Sequence, residues 1–228
     1  MENRKELAGV RVDNCCLQDA LCKIETYLNN ECLNIVETIN MKTIVAAGED
    51  ERVRRCLDEM DLVIPSNKEI LEELGITSGQ RLHDAESNQF LHEFLKRVRR
   101  GKHSVYLLAE TKSQMESLGS YLEEAYDGHL YICGSYAFED CPANAEHAVN
   151  EINSVAPHVI LAMLPTPMQE IFIYEHHHML NAKIWFGIGA ESNLFANPRN
   201  PRRIYHRILA RHKMKRQIQS YETEDGNE

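Results

Sequence analysis

The chain has 228 residues, 43% hydrophobic and 26% charged, which suits one large α/β domain or two lobes sharing a sheet and argues against disorder. A formal net charge of −10 argues against general nucleic-acid binding, which needs local Lys and Arg against phosphate. The longest apolar runs, such as 159–164 (VILAML), fall far short of the ~18 residues of a membrane span. The opening Met1-Glu2-Asn3-Arg4 has no apolar stretch after it, so a cytoplasmic chain without a signal peptide is expected. Seven cysteines with no C-x-x-C pair fit neither a disulfide framework nor a zinc ribbon, and most are expected to be reduced and buried.

Strand-length apolar runs alternate with helix-period segments. Leu33 to Thr38 reads as a strand, Met41 to Met60 as one helix capped by Asn40, and Leu62 to Ile64 as a buried strand stopped by Pro65. Glu86 to Arg100 has helical spacing and ends at Gly101, a C-cap residue. Ser104 to Ala109 is strand, Thr111 to Tyr126 helix and His129 to Cys133 strand. Asn144 to Val155 is helix, Pro157 to Leu164 strand, Gln169 to Leu180 helix and Lys183 to Phe186 strand. The rhythm predicts an α/β fold with a mostly parallel sheet and helices on both faces. Ligands in such sheets bind at the carboxyl ends of strands, which selects the loops after Thr38, Ile64, Leu108, Cys133, Leu164 and Phe186.

Several of those loops carry a pattern. Thr38-Ile39-Asn40 resembles the T-x-N of the WecG/TagA/CpsF glycosyltransferases, and Pro167-Met168-Gln169-Glu170 their P-x-Q-E. Gly187-Ile188-Gly189-Ala190 is similar to their G-V-G-A, Asp61 to Pro65 to "ADLVIPDG", Ser104 to Leu108 to "VYLLGG", and Asn150 to Asn153 to "EEIN". The matches run in order from about Asn34 to Arg207.

The resemblance implies a Rossmann-like enzyme at the inner face of the cell membrane, in cell-surface polysaccharide synthesis. It would transfer an N-acetylhexosamine-type sugar from a UDP donor, with inversion, to an undecaprenyl-diphosphate-linked acceptor. No cofactor or metal is implied, the UDP-sugar being substrate, and self-association is. It places Thr38, Asn40 and Ser66 at the catalytic positions, and Gln169, Glu170, Gly187, Gly189, Ala190 and Asn193 against the donor. Arg199, Arg202, Arg203 and Arg207 fall to contact with the diphosphate or an anionic membrane.

The chain departs from the pattern in places that matter. Where the family has P-D-G, with the aspartate as proposed base, it has Pro65-Ser66-Asn67, and a serine hydroxyl is not a base near neutral pH. Glu69, Asp61 and Asp84 are nearby acids available to stand in. Ala109-Glu110 replaces the glycine pair after "VYLL", adding a negative charge where an anionic donor would approach. Two readings therefore stay open: a working transferase, and a catalytically degenerate member that serves as a binding or regulatory subunit.

The chain's end has its own character. No Asp or Glu lies between Glu191 and Glu222, while Arg199 to Arg216 is rich in Arg and Lys. The expected division is an α/β domain over 1–198, a basic helical appendage over 199–220 and an acidic tail over 221–228. The appendage either touches membrane or packs its basic face on the acidic body. His176-His177-His178 does not suit a metal, because consecutive helical residues point ~100° apart.

Overall fold

The computed structural model describes residues 4–140, 145–189 and 213–221. The first thirty residues, which the periodicity leaves unassigned, open with a hairpin of β1 (Arg4–Leu7) and β2 (Val10–Asp13). Its two-residue turn, Ala8-Gly9, has positive φ at both positions, the geometry that matches the twist of paired strands. Asp13 closes the hairpin onto the body: buried, it pairs with Arg4 and Lys23 and accepts the Val63 N–H at 2.9 Å. Helix α1 (Leu17–Asn29) follows, its N-cap Cys16 forming a capping box with Asp19.

β3 (Asn34–Ile39) leads to α2 (Met41–Glu49), capped by the Asn40 side chain, and then to α3 (Glu51–Glu59). The single helix expected over Met41 to Met60 is broken here. Asp50 adopts an extended backbone (φ −132°) and its side chain accepts the Arg52 N–H, so a turn-forming residue ends one helix and starts the next. β4 (Leu62–Pro65), α4 (Lys68–Glu73), α5 (Gly79–Glu86) and α6 (Gln89–Arg100) come next. Gly101 caps α6 in a right-handed conformation; Lys102 takes the left-handed position instead, at φ 54°.

The remainder is regular: β5 (Ser104–Ala109), α7 (Lys112–Ala125), β6 (Tyr131–Ala137), α8 (Ala145–Val155), β7 (Val159–Met163), α9 (Met168–His176) and β8 (Ile184–Gly187). The His run ends α9 and enters a 3-10 turn, with His176 stacked on Phe172 and bonded to its carbonyl. A last described helix, α10, covers 213–221.

Six strands form one parallel sheet in the order β4-β3-β8-β7-β5-β6. The last strand, β8, wedges between β3 and β7 and so joins the two halves of the chain. Strand side chains alternate between two apolar layers, as the two-residue period demands. Ile35, Val63, Leu108, Ile160 and Trp185 pack toward α2, α3, α8 and α9. Val36, Leu62, Leu107, Leu161 and Phe186 pack toward α1, α6 and α7. This is the mostly parallel, two-faced sheet that the alternating rhythm predicts.

Helix α10 lies on the first layer. Met214 is fully buried there, Ile218 and Tyr221 are partly buried, and Lys213 and Lys215 pair with Glu49 and Glu73. This part of the basic segment thus packs on the protein's own acidic surface. Among the described cysteines, Cys16, Cys22 and Cys32 are exposed and only Cys56 is fully buried, which corrects the expectation that most are core residues. No described helix is long and apolar enough to cross a membrane.

Candidate functional site

Three strands, β4, β3 and β8, end side by side, and their ends face α1, α5 and α6 across a cleft open to solvent. Thr38, Ile64, Ser66 and Ile188 form its strand-end wall. Opposite stand Arg81, Asp84 and Ala85 on α5, with Asn88 just before α6. Leu17 and Ala20 on α1 and Phe90 and Leu91 on α6 supply an apolar base, and Cys15 and Cys16 stand at the amino end of α1. Thr38, facing α1 and α6, therefore meets the cleft, whereas its neighbour Glu37 points through the sheet to the other layer.

The loop after β8 is held from three directions. Thr38 Oγ1 donates to the Gly187 carbonyl at 3.3 Å, the Gly189 N–H donates to Gln169 Oε1 at 3.1 Å, and the Ile188 N–H donates to the Ala162 carbonyl at 2.9 Å. Gly189 sits at φ 68°, a conformation glycine adopts without strain. Gly187 is glycine for a different reason. A Cβ there would stand 2.6 Å from Gln169 Nε2 and 3.0 Å from Glu37 Oε2.

These contacts change the place of two residues. The family resemblance sets Gln169 and Glu170 against a donor, but the first turn of α9 buries both, at 1% and 0% exposure. The Gln169 amide is used beneath the glycine loop, and Glu170 accepts from Thr166 Oγ1 at 2.8 Å. Neither residue reaches the cleft surface.

Glu170 lies against Glu37, itself 1% exposed. Written as two carboxylates, the pair would leave both Glu37 oxygens and Glu170 Oε2 buried without hydrogen bonds. One shared proton joins an oxygen of each carboxyl and removes the close meeting of two buried charges. Burial, then the Glu170 charge and hydrogen bond, lift the Glu37 carboxyl well above the ordinary range, while the Gln169 amide opposes the rise. Burial also raises Glu170, but its hydrogen bonds, including that with Glu37, pull it back down. The pair as a whole is thus held partly protonated above the ordinary carboxylate range. Cys56 completes the cluster as a neutral donor, its Sγ 3.1 Å from the Glu170 carbonyl and its thiol held protonated by burial and the two acids.

The structure also places the residues that the family resemblance sets at catalytic positions. Ser66 lines the cleft, and both its N–H and its hydroxyl donate to the Ile39 carbonyl at 2.8 Å. Asn40 spends its side-chain oxygen on the Lys42 and Thr43 N–H groups, so it fixes the start of α2 immediately after β3. Of the three substitute acids, Asp61 lies at the amino end of β4, bonded to the Ile35 N–H, and Glu69 is buried in α4. Asp84 alone among them lines the cleft. Glu110 follows β5, separated from β3 by β7 and β8, and is not part of the wall.

Ala190, Asn193, Arg199, Arg202, Arg203 and Arg207 lie outside the described residues. The wall made by α1, α5 and the start of α6 is what strand-end reasoning misses. Arg81 and Asp84 are three apart on one helix, so a signal existed in their spacing. Arg81 anchors this wall by donating to Asn14 Oδ1 at 2.7 Å, and it is the cation of the lining among the described residues.

Comparison with known proteins gives the family. The N-acetylglucosaminyldiphosphoundecaprenol N-acetyl-beta-D-mannosaminyltransferase of Staphylococcus aureus strain MRSA252 is 20% identical over 193 residues, covering 84% of this chain and 75% of that protein. Its counterpart in strain NCTC 8325 / PS 47 is 19% identical over the same shares. The family profile described as glycosyl transferase WecG/TagA/CpsF matches residues 5–209, spanning β1 through β8 and every strand end of the cleft, and the chain belongs to that family.

Proposed function

We propose that the chain transfers an N-acetylhexosamine-type sugar from a UDP donor to a lipid-diphosphate-linked acceptor, in the cleft where β3, β4 and β8 end. One observation carries the reading. Thr38, Ser66 at the position of the family's acid, and the Gly187–Gly189 loop, far apart in sequence, converge on one wall that faces Arg81 and an apolar base. A cation offers charge to a leaving diphosphate. The Staphylococcus aureus relatives are named for transfer of N-acetylmannosamine to an N-acetylglucosaminyl-diphosphoundecaprenol, which sets the substrate class to try first. The reading places the protein at the cytoplasmic membrane face, where such acceptors reside, in cell-surface polysaccharide synthesis.

Calorimetric titration with UDP and UDP-N-acetylhexosamines tests the donor half. Saturable binding is expected; no heat at millimolar ligand refutes it.

A second reading has its own observation. The Ser66 hydroxyl gives its proton to a backbone carbonyl at the position where the family carries an acid, so the usual base is missing. A chain that binds the sugar nucleotide without transfer, as a regulatory subunit, fits that fact. Donor binding with no turnover separates it from the first.

A further inference from the structure

The reaction class needs a proton acceptor, and the position that supplies it in the family holds Ser66. We propose that Asp84, on the opposite wall, is the general base of this chain; the inference rests on the transferase reading given above.

The argument is one of position and elimination. Asp84 is the carboxylate of the cleft lining among the described residues. Glu37 and Glu170 lie buried on the other face of the sheet, Glu69 is buried in α4, and Asp61 is at the far end of β4. Asp84 is half-buried, and one oxygen accepts the Gln80 amide at 2.7 Å, which helps orient the carboxylate. Arg81, one helical turn earlier, lines the same cleft, so α5 alone brings an acid and a cation to the site. None of the α5 side chains is fully buried, as suits a helix that covers a cleft instead of completing the core.

The step balances without a further reactant. The acceptor hydroxyl oxygen forms a bond to the anomeric carbon of the donor sugar, and the bond from that carbon to the β-phosphate oxygen breaks. UDP leaves with the electron pair, and the hydroxyl proton passes to the Asp84 carboxylate. Attack from the face opposite the leaving group inverts the anomeric centre. Ser66 and Thr38 remain on the strand-end wall as polar contacts.

The test measures transfer and UDP binding together for the unmodified chain and for Asp84→Asn, Asp84→Glu and Glu86→Gln. Glu86 is an exposed residue of the same helix, paired with Lys68, and its variant should keep full activity. Asp84→Asn should bind UDP with unchanged affinity and lose about 10²–10⁴-fold in kcat. Asp84→Glu should recover part of the rate. Retained kcat in Asp84→Asn overturns Asp84 as base and leaves the transferase reading standing. UDP binding without turnover in the unmodified chain overturns the base assignment and favours the binding subunit. Absence of both binding and turnover overturns the two together.

Discussion

Replacing Glu37 by glutamine keeps the shape of a buried side chain and removes its titration. In the folded chain, burial and the Glu170 charge hold the Glu37 carboxyl protonated well above the pH at which a free glutamate ionises. The unfolded chain releases that proton once pH passes the ordinary carboxylate range. Above that range the native state binds one proton more, so stability is full below it and declines as pH rises through the folded titration point. For one proton the decline is at most about 1.4 kcal/mol per pH unit. Glu170, raised by burial too, adds in the same direction. Glutamine can still donate an N–H to Glu170 and has nothing to lose with rising pH. Urea unfolding at a series of pH values between about 5 and 8 should give a falling line for the unmodified chain and a flatter one for Glu37→Gln, with the variant the more stable at the upper end. Parallel lines would refute the shared proton.

Gly187→Ala places a Cβ against Gln169 and Glu37, and overpacking of this kind should cost about 1–3 kcal/mol in chemical unfolding. Thr38→Val removes the donor to the Gly187 carbonyl, for a loss of about 0.5–1.5 kcal/mol and faster amide exchange at Gly189, which thermal melts and exchange together would show. Met214→Ala empties the anchor of α10 and should weaken its docking by about 2–5 kcal/mol, read as faster proteolysis over 213–221 while β3 to β8 stay protected. Raising salt should loosen that helix far less, because the Lys213–Glu49 and Lys215–Glu73 pairs are solvent-exposed and each is worth about 1 kcal/mol or less.

The sheet was legible because its order comes from local signals repeated along the chain. From Ser104 to Gly187 each apolar run is flanked by a cap or a turn, and strands and helices fall within a few residues of expectation. Strand ends carrying Thr38, Ser66 and the glycine loop were legible for the same reason. What failed to show was tertiary. The Ala8-Gly9 turn joins strands of four residues each, too short to give a periodic pattern. Asp50 divides a run whose apolar spacing continues across the break, since the capping bond to Arg52 outweighs one turn of helix. Gln169 and Glu170 read as ligand contacts because they open a helix after a strand, and only packing reveals that the first turn of α9 is covered by α3 and the β3–β8 pair. The cleft's second wall comes from segments 15–20 and 81–91, which meet the strand ends only in three dimensions.

Acceptor-dependent release of UDP tests the central claim most directly. The purified chain is mixed with a UDP-N-acetylhexosamine and a short-chain lipid-diphosphate N-acetylglucosamine, and both UDP and the elongated lipid are measured. Transferase chemistry in the β3–β4–β8 cleft predicts the two products in equal amounts, with none when acceptor is omitted. Bound donor with no elongated lipid, or no donor binding at all, would contradict it.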